Sequence, residues 1–527
     1  DGDGGGGEGD GGGGDGDGGG GEGDGGGGDG DGGGGDGNGG GGDGDGSSAG
    51  LIMVLEPRRV AARGAAHRMA SLLGQSVGGE VGYTVRHESR KSKRTRVLVV
   101  TEGVLVRRLQ SDPGLEGVAA VVFDEFHERS VDADLALALC REAQQVLRPE
   151  LRLVVMSATL GDGLAASVSS LLGGCPTLTS AGRCFPVALR HVGVRPLAMA
   201  ASGHPRDVEA EVADTVATVL REVSEGDVLV FLPGEREIRN VKSRLVEMLP
   251  AGRRPRLCPL YGALPFEQQQ EAIAPDPDGR RRVVLSTNLA ESSLTIEGVR
   301  LVVDSGLRRA SAYDPAVGMS ALVTRPISIA AADQRAGRAG RVAPGTAYRL
   351  WGVDEHRRLE PQAAPEISTA DLAPLLLQIA AWGGGLSHAQ VLELPWLTPP
   401  PTAGLEQSRR LLRSLGAVGG AVGARSTGDV VSISRHGEGL ARLPTHPRLG
   451  HVLLRALAAG GADGAALRVA CACAAVLEER DVLAGGGRQH GADLRLRVAS
   501  LLDDGQAAAA TASGRRAKQS MAEMLRL

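Results

Sequence analysis

VVFDEFHERS, residues 121–130, is the stretch of sequence that decides the fold. Its apolar half predicts a buried strand ending at Phe123, so that Asp124 and Glu125 follow at the carboxyl end of that strand. In open α/β sheets, ligands bind at this edge. An acidic pair there can hold a magnesium ion through one carboxylate and polarise a water molecule with the other. Taken alone, such a pair also fits the N-cap of a helix.

Short apolar runs alternate with helical patterns on both sides of this stretch. Before and after it, further buried strands are predicted at LIMVL (51–55), VLVV (97–100) and LRLVVM (151–156), with helices over 60–73 and 132–146. A second series of predicted strands comprises VLVFL (228–232), RVVLS (282–286), LVV (301–303) and TAYRL (346–350). Strand–helix alternation predicts mainly parallel sheets covered on both faces, here as two α/β units in tandem. Beyond Trp351 the pattern becomes rich in helices.

Two further polar segments, SATL (157–160) and STNLAESSLTI (286–296), follow predicted strands, and a third, QRAGRAGR (334–341), comes after them in the chain. In the first, the Ser157 and Thr159 hydroxyls can couple the two units by hydrogen bonds. In the third, Arg338 and Arg341 are three residues apart, on one face of a predicted helix. Two arginines from a second domain can neutralise the charge on a transferred phosphoryl group. Gln334 lies one turn earlier, in a position to orient a water molecule; the alternative is a solvated basic helix.

The charge of the chain is unevenly distributed. The net charge is -5, but residues 1–50 contain 13 acidic and no basic residues, so that the remaining chain is mildly basic. A basic body is compatible with a polyanionic partner and equally with many other soluble enzymes. Residues 1–46 repeat with a period of 14 in Asp, Glu and Gly; they lack the large apolar residue that a calcium-binding β-roll needs, and are predicted to be disordered.

The cysteines and apolar runs indicate the kind of compartment. The six cysteines form no CxxC pair, which predicts neither a disulfide framework nor a zinc site and favours a reducing compartment. No apolar run reaches the roughly 18–20 residues needed to span a bilayer, and neither a signal nor a transit pattern is visible. We therefore expect no membrane association, and a location in the cytoplasm, the nucleus or an organelle.

The ordered series of polar segments resembles the motifs of one enzyme family. DEFHERS, SATL, STNLAESSLTI and QRAGRAGR are similar to motifs II, III, V and VI of superfamily 2 DEAH helicases. Motifs Ia, Ib and IV are matched by LEPRRVAA (55–62), TEGVL (101–105) and FLPGEREI (231–238). Phe126 in place of the family's alanine, together with LEPRR and LQSDPGLEGV, points to the HrpB-like branch. The resemblance extends over residues 51–527.

The resemblance implies a domain order. It comprises a disordered repeat (1–50), a first RecA-like domain (51–184), a second RecA-like domain (185–352), a winged helix (353–425) and a helical ratchet, or HA2-like, region (426–527). Within these, EVGYTVRHE (80–88) resembles an RNA-gripping turn, and residues 308–324 resemble the β-hairpin that guards the strand-separation path. The helical patterns at 366–383, 405–418, 446–460 and 467–479 would belong to the two C-terminal regions.

The resemblance also implies roles for individual residues. Asp124 would bind magnesium, Glu125 would activate the attacking water, and His127 would link the metal site to Gln334. Arg338 and Arg341 would act as arginine fingers. Arg68 would stack on the adenine, whose usual aromatic partner aligns near Ile273. The RNA backbone would be contacted by Arg58, Arg59, Thr101, Gly103, Thr287 and Asn288, contacts that set position without reading sequence.

One motif of the family is missing. A phosphate-binding GxxxxGK[ST] loop is expected about 25–35 residues before motif Ia, judging from the family. The Asp/Gly repeat occupies that place, no lysine precedes Lys91, and no GK[ST] occurs in the chain. Two explanations compete: a truncated or mis-assembled gene model, favoured by the intact catalytic set, or a degenerate helicase that retains its RNA contacts. The C-terminus, too, is expected to be cut short relative to the family.

The implied activity is ATP-dependent RNA unwinding or ribonucleoprotein remodelling, with ATP and Mg²⁺ as cofactors and single-stranded RNA as partner. Without a phosphate-binding loop, we expect poor ATP binding and slow or no hydrolysis by this polypeptide. The alternatives are a catalytically inactive helicase-like RNA-binding scaffold and, as a third reading, a DNA helicase, since backbone contacts discriminate only modestly between the two nucleic acids.

Overall fold

The computed structural model describes most of the chain between Gly50 and Arg526. The described residues are 50–86, 88–159, 161–180, 182, 185–193, 208–250, 252, 254–291, 296–383, 386–419, 430–460, 464–479, 481–483, 491, 493–502 and 511–526. The predicted disordered repeat lies outside them, as do His87, Leu160 and residues 292–295 of the motifs quoted above.

The first sheet contains six strands. They are β1 (Leu51–Glu56), β2 (Val81–Val85), β3 (Glu88–Arg90), β4 (Val97–Thr101), β5 (Val118–Phe123) and β6 (Arg152–Val155). Their order is β3-β2-β4-β1-β5-β6, and only the β2–β3 pair is antiparallel. The flanking helices are α1 (Arg59–Leu72), α2 (Glu102–Ser111), α3 (Val131–Val146) and α4 (Asp162–Leu171).

Both faces of this sheet are covered, as the apolar runs predicted. Met53 and Leu55 of β1 belong to the core with α2 and α3, whereas Val54 packs with α1 on the other face. Alternate residues of one strand thus enter two different cores, which is why the run LIMVL is apolar throughout.

The prediction of a buried strand at 151–156 was wrong. β6 is the last strand of its sheet, and its residues are exposed or half-buried in alternation. Val154 and Met156 are 43% and 40% exposed. Hydrophobicity alone does not distinguish an edge strand from a central one, because both carry apolar residues.

The second sheet is entirely parallel. Its strands are β7 (Val187–His191), β8 (Asp227–Phe231), β9 (Arg256–Leu260), β10 (Arg282–Ser286), β11 (Val299–Asp304) and β14 (Gly345–Arg349), in the order β7-β14-β11-β8-β10-β9. The helices are α5 (Val208–Glu222), α6 (Glu235–Met248), α7 (Phe266–Ile273) and α8 (Ile329–Gly337). β9 was not predicted, because Pro259 interrupts its apolar pattern. Proline, which has no N–H to donate, is tolerated in this strand because β9 is the last of its sheet.

A hairpin projects from the second unit at the predicted place. β12 (Leu307–Asp314) and β13 (Met319–Pro326) pair antiparallel over their full length, from Leu307 opposite Pro326 to Asp314 opposite Met319.

The C-terminal region is helical with one small sheet. Its helices are α9 (Val353–His356), α10 (Ala373–Gly383), α11 (His388–Glu393), α12 (Thr402–Ser414), α13 (Arg435–Arg442), α14 (Pro447–Ala459), α15 (Ala465–Glu478), α16 (Leu494–Leu502) and α17 (Ala512–Arg526). The short strands β15 (Leu386–Ser387), β16 (Val418–Gly419) and β17 (Val430–Ile433) form an antiparallel sheet in the order β15-β17-β16. The predicted boundary between the winged helix (353–425) and the ratchet (426–527) falls within this small sheet, because β17 lies in the second of these ranges.

Two details differ from the sequence-based expectation. The helix predicted over 366–383 begins only at Ala373, whose N–H donates to the Asp371 carboxylate at 2.9 Å, and a separate 3₁₀ turn covers Glu366–Ser368. α10 also contributes Leu375 and Ile379 to the hydrophobic core of the first sheet, so that the first α/β unit and the start of the C-terminal region share one core.

Two further sequence-based predictions concern membrane-spanning helices and disulfide bonds. No helix among them combines the length and hydrophobicity required to cross a bilayer. The described cysteines are free thiols: Cys140, Cys175, Cys258, Cys471 and Cys473.

Candidate active site and nucleic-acid interface

The acidic pair lies at the carboxyl end of β5, where the chain turns sharply. The Asp124 N–H donates to the Leu55 carbonyl at 3.1 Å, and the Asp124 carboxylate accepts the Glu125 N–H at 2.8 Å. Glu125 has φ +49° and ψ +34°, a left-handed conformation that costs a non-glycine residue roughly 1–2 kcal/mol. Phe126, which follows, is 2% exposed and packs edge-on against Phe123, so the core holds this turn in place.

His127 joins the acidic pair to both neighbouring motifs. Its Nδ1 lies 3.4 Å from the Glu125 carboxylate and 3.2 Å from the Ser157 hydroxyl. Its Nε2 lies 3.2 Å from the Nε2 of Gln334, which belongs to the second α/β unit. With the amide nitrogen of Gln334 as the donor, the imidazole Nε2 is the acceptor of this contact. Ser157 in turn accepts the Thr159 N–H at 3.1 Å.

The two predicted arginine fingers do not share a helix face. α8 ends at Gly337, and Arg338 begins a 3₁₀ turn that extends to Gly340. Arg338 is 6% exposed, whereas Arg341 is exposed. The prediction of a continuous helix failed because the two glycines favour its end; a Cβ at Gly340 would lie 2.5 Å from the Phe185 carbonyl oxygen.

Arg338 is nevertheless held at an electropositive position facing the acidic pair. Its Nε donates to the Glu291 carbonyl at 2.9 Å. Burial lowers the pKa of Arg338 to about 10; the positive charge of Arg341 adds to this, and Glu125 and Glu291 oppose it. The arginine is therefore still cationic at neutral pH, and an anion placed between the two guanidiniums would relieve their repulsion.

Asp124 has the surroundings that a cation would stabilise. Burial raises the pKa of its carboxyl and the charge of Glu125 raises it further, while the hydrogen bond from the Glu125 N–H opposes them. The buried Glu56 lies at the end of the neighbouring β1. Three carboxyl groups thus crowd one sheet edge. Among the described residues no group of three or more acidic, histidine or cysteine side chains could hold a metal ion by themselves. The donor set therefore fits Mg²⁺ bound by one carboxylate together with water and phosphate oxygens.

The predicted RNA contacts lie on both α/β units. Arg58 forms an ion pair with Glu128 at 3.0 Å and donates to the Asn288 carbonyl at 2.8 Å, so it already connects motif Ia to motif V. The Thr287 hydroxyl accepts the Leu289 N–H at 3.4 Å. Thr101 is the N-cap residue of α2, and a side chain at Gly103 would come within 3.3 Å of the Asp132 carboxylate.

Arg59 and Arg68 both lie on α1 and are exposed. The aromatic ring nearest to α1 on the second unit is that of Phe266, which lies under the Arg63 guanidinium at 5.3 Å and near the His67 ring.

Sequence analysis missed an arginine-lined cavity beside motif Ib. The cavity has a volume of about 560 Å³ and is lined by arginines of the first α/β unit and of the C-terminal helices: Arg86, Arg107, Arg108, Arg442 and Arg526. Burial and the neighbouring Arg86 lower the pKa of Arg107. Arg442 and Arg526 lie more than 300 residues beyond motif Ib in sequence, so no local pattern could have associated them with it.

Glu102, between the predicted RNA contacts Thr101 and Gly103, is a second residue that the sequence did not reveal. Burial raises the pKa of Glu102 to about 8, and Asp132, Glu128 and Glu366 add to the rise, while the Ser130 hydroxyl donates at 2.6 Å and opposes it. The side chain is therefore largely neutral near pH 7. A neutral carboxyl here avoids repelling a phosphate backbone that approaches its two neighbours.

Glu102→Gln is expected to flatten the pH dependence of stability. Below about pH 4.5 the wild-type carboxyl is protonated in the folded and in the unfolded protein. Between about pH 4.5 and pH 8 the unfolded protein loses this proton while the folded protein keeps it. The free energy of unfolding therefore falls as the pH rises. Glutamine stays neutral throughout. Denaturant unfolding at pH 5 and pH 8 should show that the wild type loses at least about 1.4 kcal/mol more than the variant. The exposed Glu116→Gln is the matched control, and equal pH slopes for Glu102→Gln and wild type would contradict the assignment.

Family models and relatives agree with this geometry. The DEAD/DEAH box helicase model matches residues 45–166, and the helicase conserved C-terminal domain model matches residues 211–343. The ATP-dependent RNA helicase HrpB of Escherichia coli (strain K12) is 43% identical over 430 residues, which are 82% of this chain and 49% of HrpB. The splicing factor ATP-dependent RNA helicase prp22 of Schizosaccharomyces pombe is 35% identical over 79% of this chain and 34% of its own length. The probable ATP-dependent RNA helicase DHR2 of Saccharomyces cerevisiae is 35% identical over 78% of this chain and 53% of its own length.

Solved structures give the same result. The crystal structure of E. coli DEAH/RHA helicase HrpB matches with a TM-score of 0.74 at 38% identity, over 91% of this chain and 55% of that chain. A second structure, of E. coli DExH-box NTPase HrpB, gives 0.70 at 38% identity, over 91% and 53%. The chain spans about a third to a half of the length of the curated relatives it matches. The order of its motifs, its two parallel sheets and these matches show that the chain belongs to the DEAH-box helicases of superfamily 2, in their HrpB-like branch.

Proposed function

We propose that this protein is an ATP-dependent RNA helicase, which couples nucleoside triphosphate hydrolysis to RNA unwinding or ribonucleoprotein remodelling. The observation that carries the proposal is the position of His127, whose ring contacts Glu125 and Ser157 of the first unit and Gln334 of the second. A side chain that contacts both units at the site of hydrolysis can link the state of the nucleotide to the relative position of the two sheets.

The side chains at the site have complementary tasks in this proposal. Magnesium, when bound, would neutralise part of the phosphate charge beside Asp124. Glu125 orients the attacking water and accepts its proton, and the strained backbone at this residue fixes the direction of the carboxylate. Arg338 and Arg341 stabilise the charge that develops on the transferred phosphoryl group. Gln334 holds His127 in place and aligns the water from the opposite side.

RNA would be held as a single strand by its backbone. The predicted contacts Arg58, Arg59, Thr101, Gly103, Thr287 and Asn288 come from both units, and the arginine-lined cavity extends them toward the C-terminal helices. A change in the relative position of the units would therefore shift one group of phosphate contacts against the other. Such contacts support movement along RNA of any sequence.

A second candidate is an RNA-binding scaffold without ATP turnover. It is favoured by one observation, that no GxxxxGK[ST] stretch occurs in the 527 residues. RNA-stimulated ATP hydrolysis by the expressed chain would support the helicase, whereas RNA binding with no turnover above background would select the scaffold. Competition between RNA and DNA strands of matched sequence tests whether the nucleic acid is RNA.

Arg442→Ala is expected to weaken RNA binding by about tenfold, because one charge-assisted contact to a phosphate is worth roughly 1.5 kcal/mol. The slope of log affinity against log salt should become shallower by about 0.7, the value for one phosphate of a single strand. Fluorescence anisotropy with labelled oligouridine at several salt concentrations measures both quantities. Arg300→Ala is the control, because Arg300 lies near the amino end of β11, at the opposite edge of its sheet from the predicted site. An unchanged salt slope for Arg442→Ala would remove this cavity from the RNA path.

A further inference from the structure

A second cavity lies at the base of the β12–β13 hairpin. Its volume is about 840 Å³, and it is lined by the start of β12, the end of β13, Glu128 and Ser130 at the end of motif II, and the segment 352–369. Neither of the acidic residues Asp124 and Glu125 lines it, nor do the arginines 338 and 341. It therefore has no part in the hydrolytic chemistry described above.

Three arginines line this cavity: Arg308, Arg325 and Arg358. Arg308 and Arg325 are directly opposite each other in the hairpin ladder, so their side chains leave the same face. Like charges directly opposite in an antiparallel pair are destabilising. Among the described residues none of the three arginines has an ion pair or a side-chain hydrogen bond. The Nε of Arg308 is buried without a hydrogen-bond partner. Burial lowers the pKa of this guanidinium, Glu291 opposes the shift, and Arg335 and Arg325 add to it.

Two of the five acidic residues that line the cavity are paired with other arginines. Glu128 pairs with Arg58 at 3.0 Å, Asp354 pairs with Arg357 at 3.3 Å, and the Glu366 carboxylate accepts the Val131 N–H at 3.2 Å. Glu355 and Glu360 also line the cavity. Their charges would oppose a polyphosphate but leave room for one anionic group held between the arginines.

We propose that this cavity binds a single phosphate group through Arg308, Arg325 and Arg358. Planar guanidinium groups match phosphate oxygens in pairs, and a bound phosphate would remove the repulsion across the hairpin. Two sources share this chemistry: a backbone phosphate of RNA passing the base of the hairpin, and a free phosphorylated small molecule.

The first test measures thermal stability of the full chain in inorganic phosphate and in chloride of equal ionic strength. A ligand that binds only the folded state raises the melting temperature. Phosphate should raise the melting temperature of the wild type and of the control Arg300→Ala, whose ion pair with Glu225 lies outside the cavity lining. The rise should be smaller in Arg308→Ala and in Arg325→Gln. In chloride these two variants should be at least as stable as the wild type, because each removes one charge of an unfavourable pair. An equal phosphate effect in all four proteins would overturn the proposal.

The second test separates the two sources. If the phosphate belongs to RNA, Arg308→Ala and Arg325→Gln should make the salt slope of oligouridine binding shallower by about 0.7, whereas Arg300→Ala leaves it unchanged. If the ligand is a small molecule, the variants lose the phosphate effect on melting and keep the wild-type RNA affinity. Either result supports a phosphate site, and neither requires ATP turnover, so the outcome does not depend on the proposed helicase activity.

Discussion

Replacing Arg335 with methionine is expected to lower the free energy of unfolding of the second α/β unit by about 3–5 kcal/mol, the usual cost of breaking a buried ion pair. Arg335 is 1% exposed; its Nε donates to Glu291 and its Nη1 to Asp304, both at 2.9 Å. The guanidinium also lies 4.8 Å from the centre of the Phe231 ring. Methionine fills a similar volume but leaves the buried carboxylate of Asp304 without its counter-charge. Denaturant unfolding followed by circular dichroism measures the loss.

Two further variants make this prediction specific. Arg300→Ala breaks an ion pair of the same length, 2.9 Å to Glu225, but an exposed one, and should cost less than about 1 kcal/mol. Adding Asp304→Asn to Arg335→Met should recover part of the loss, because it removes the uncompensated charge. If Arg335→Met lowered the free energy of unfolding by less than about 1 kcal/mol, the ion pairs of Arg335 with Glu291 and Asp304 would not stabilise the protein as proposed.

Arg335 also shows what a motif does not reveal. In QRAGRAGR the arginines at 335, 338 and 341 look alike, and sequence analysis assigned chemistry to the second and third only. In the structure the first of them, Arg335, is buried and donates to Glu291 and Asp304. These partners lie 44 and 31 residues earlier in the chain. Partners at such separations depend on how the strands are ordered in the sheet, which no local pattern specifies.

The parts that could be predicted are those with a strong local cause. RVVLS became β10 with the bounds of the apolar run, and Asp124 lies at the strand end because β5 stops where its apolar residues stop. The edge position of β6 and the contribution of Arg442 and Arg526 to a cavity beside motif Ib could not be predicted, since each depends on which elements become neighbours in the fold. The end of α8 at Gly337 could have been predicted from this glycine, but the helical spacing of the arginines favoured the prediction of a longer helix.

Glu125→Gln is expected to lower RNA-stimulated ATP hydrolysis by about 10²–10⁴-fold, the range typical of losing a general base. Glutamine keeps the shape of the side chain and its distance from the His127 ring, 3.4 Å in the wild type, but cannot accept the proton of the attacking water. RNA affinity should stay within about twofold of the wild type, because the predicted phosphate contacts are made by other residues. Steady-state hydrolysis with saturating oligouridine, and anisotropy with the same oligonucleotide, measure the two quantities.

The controls for this variant distinguish chemistry from folding. Glu247→Gln, an exposed position on α6, should leave both hydrolysis and RNA affinity unchanged. Gln334→Ala removes the 3.2 Å contact to His127 from the second unit, and should lower hydrolysis less than Glu125→Gln does, by roughly 5–150-fold, because it disturbs alignment and leaves the base in place. If Glu125→Gln retained more than a tenth of the wild-type rate, the attacking water would have to be activated by another group, and the assignment of Glu125 as the base would be wrong.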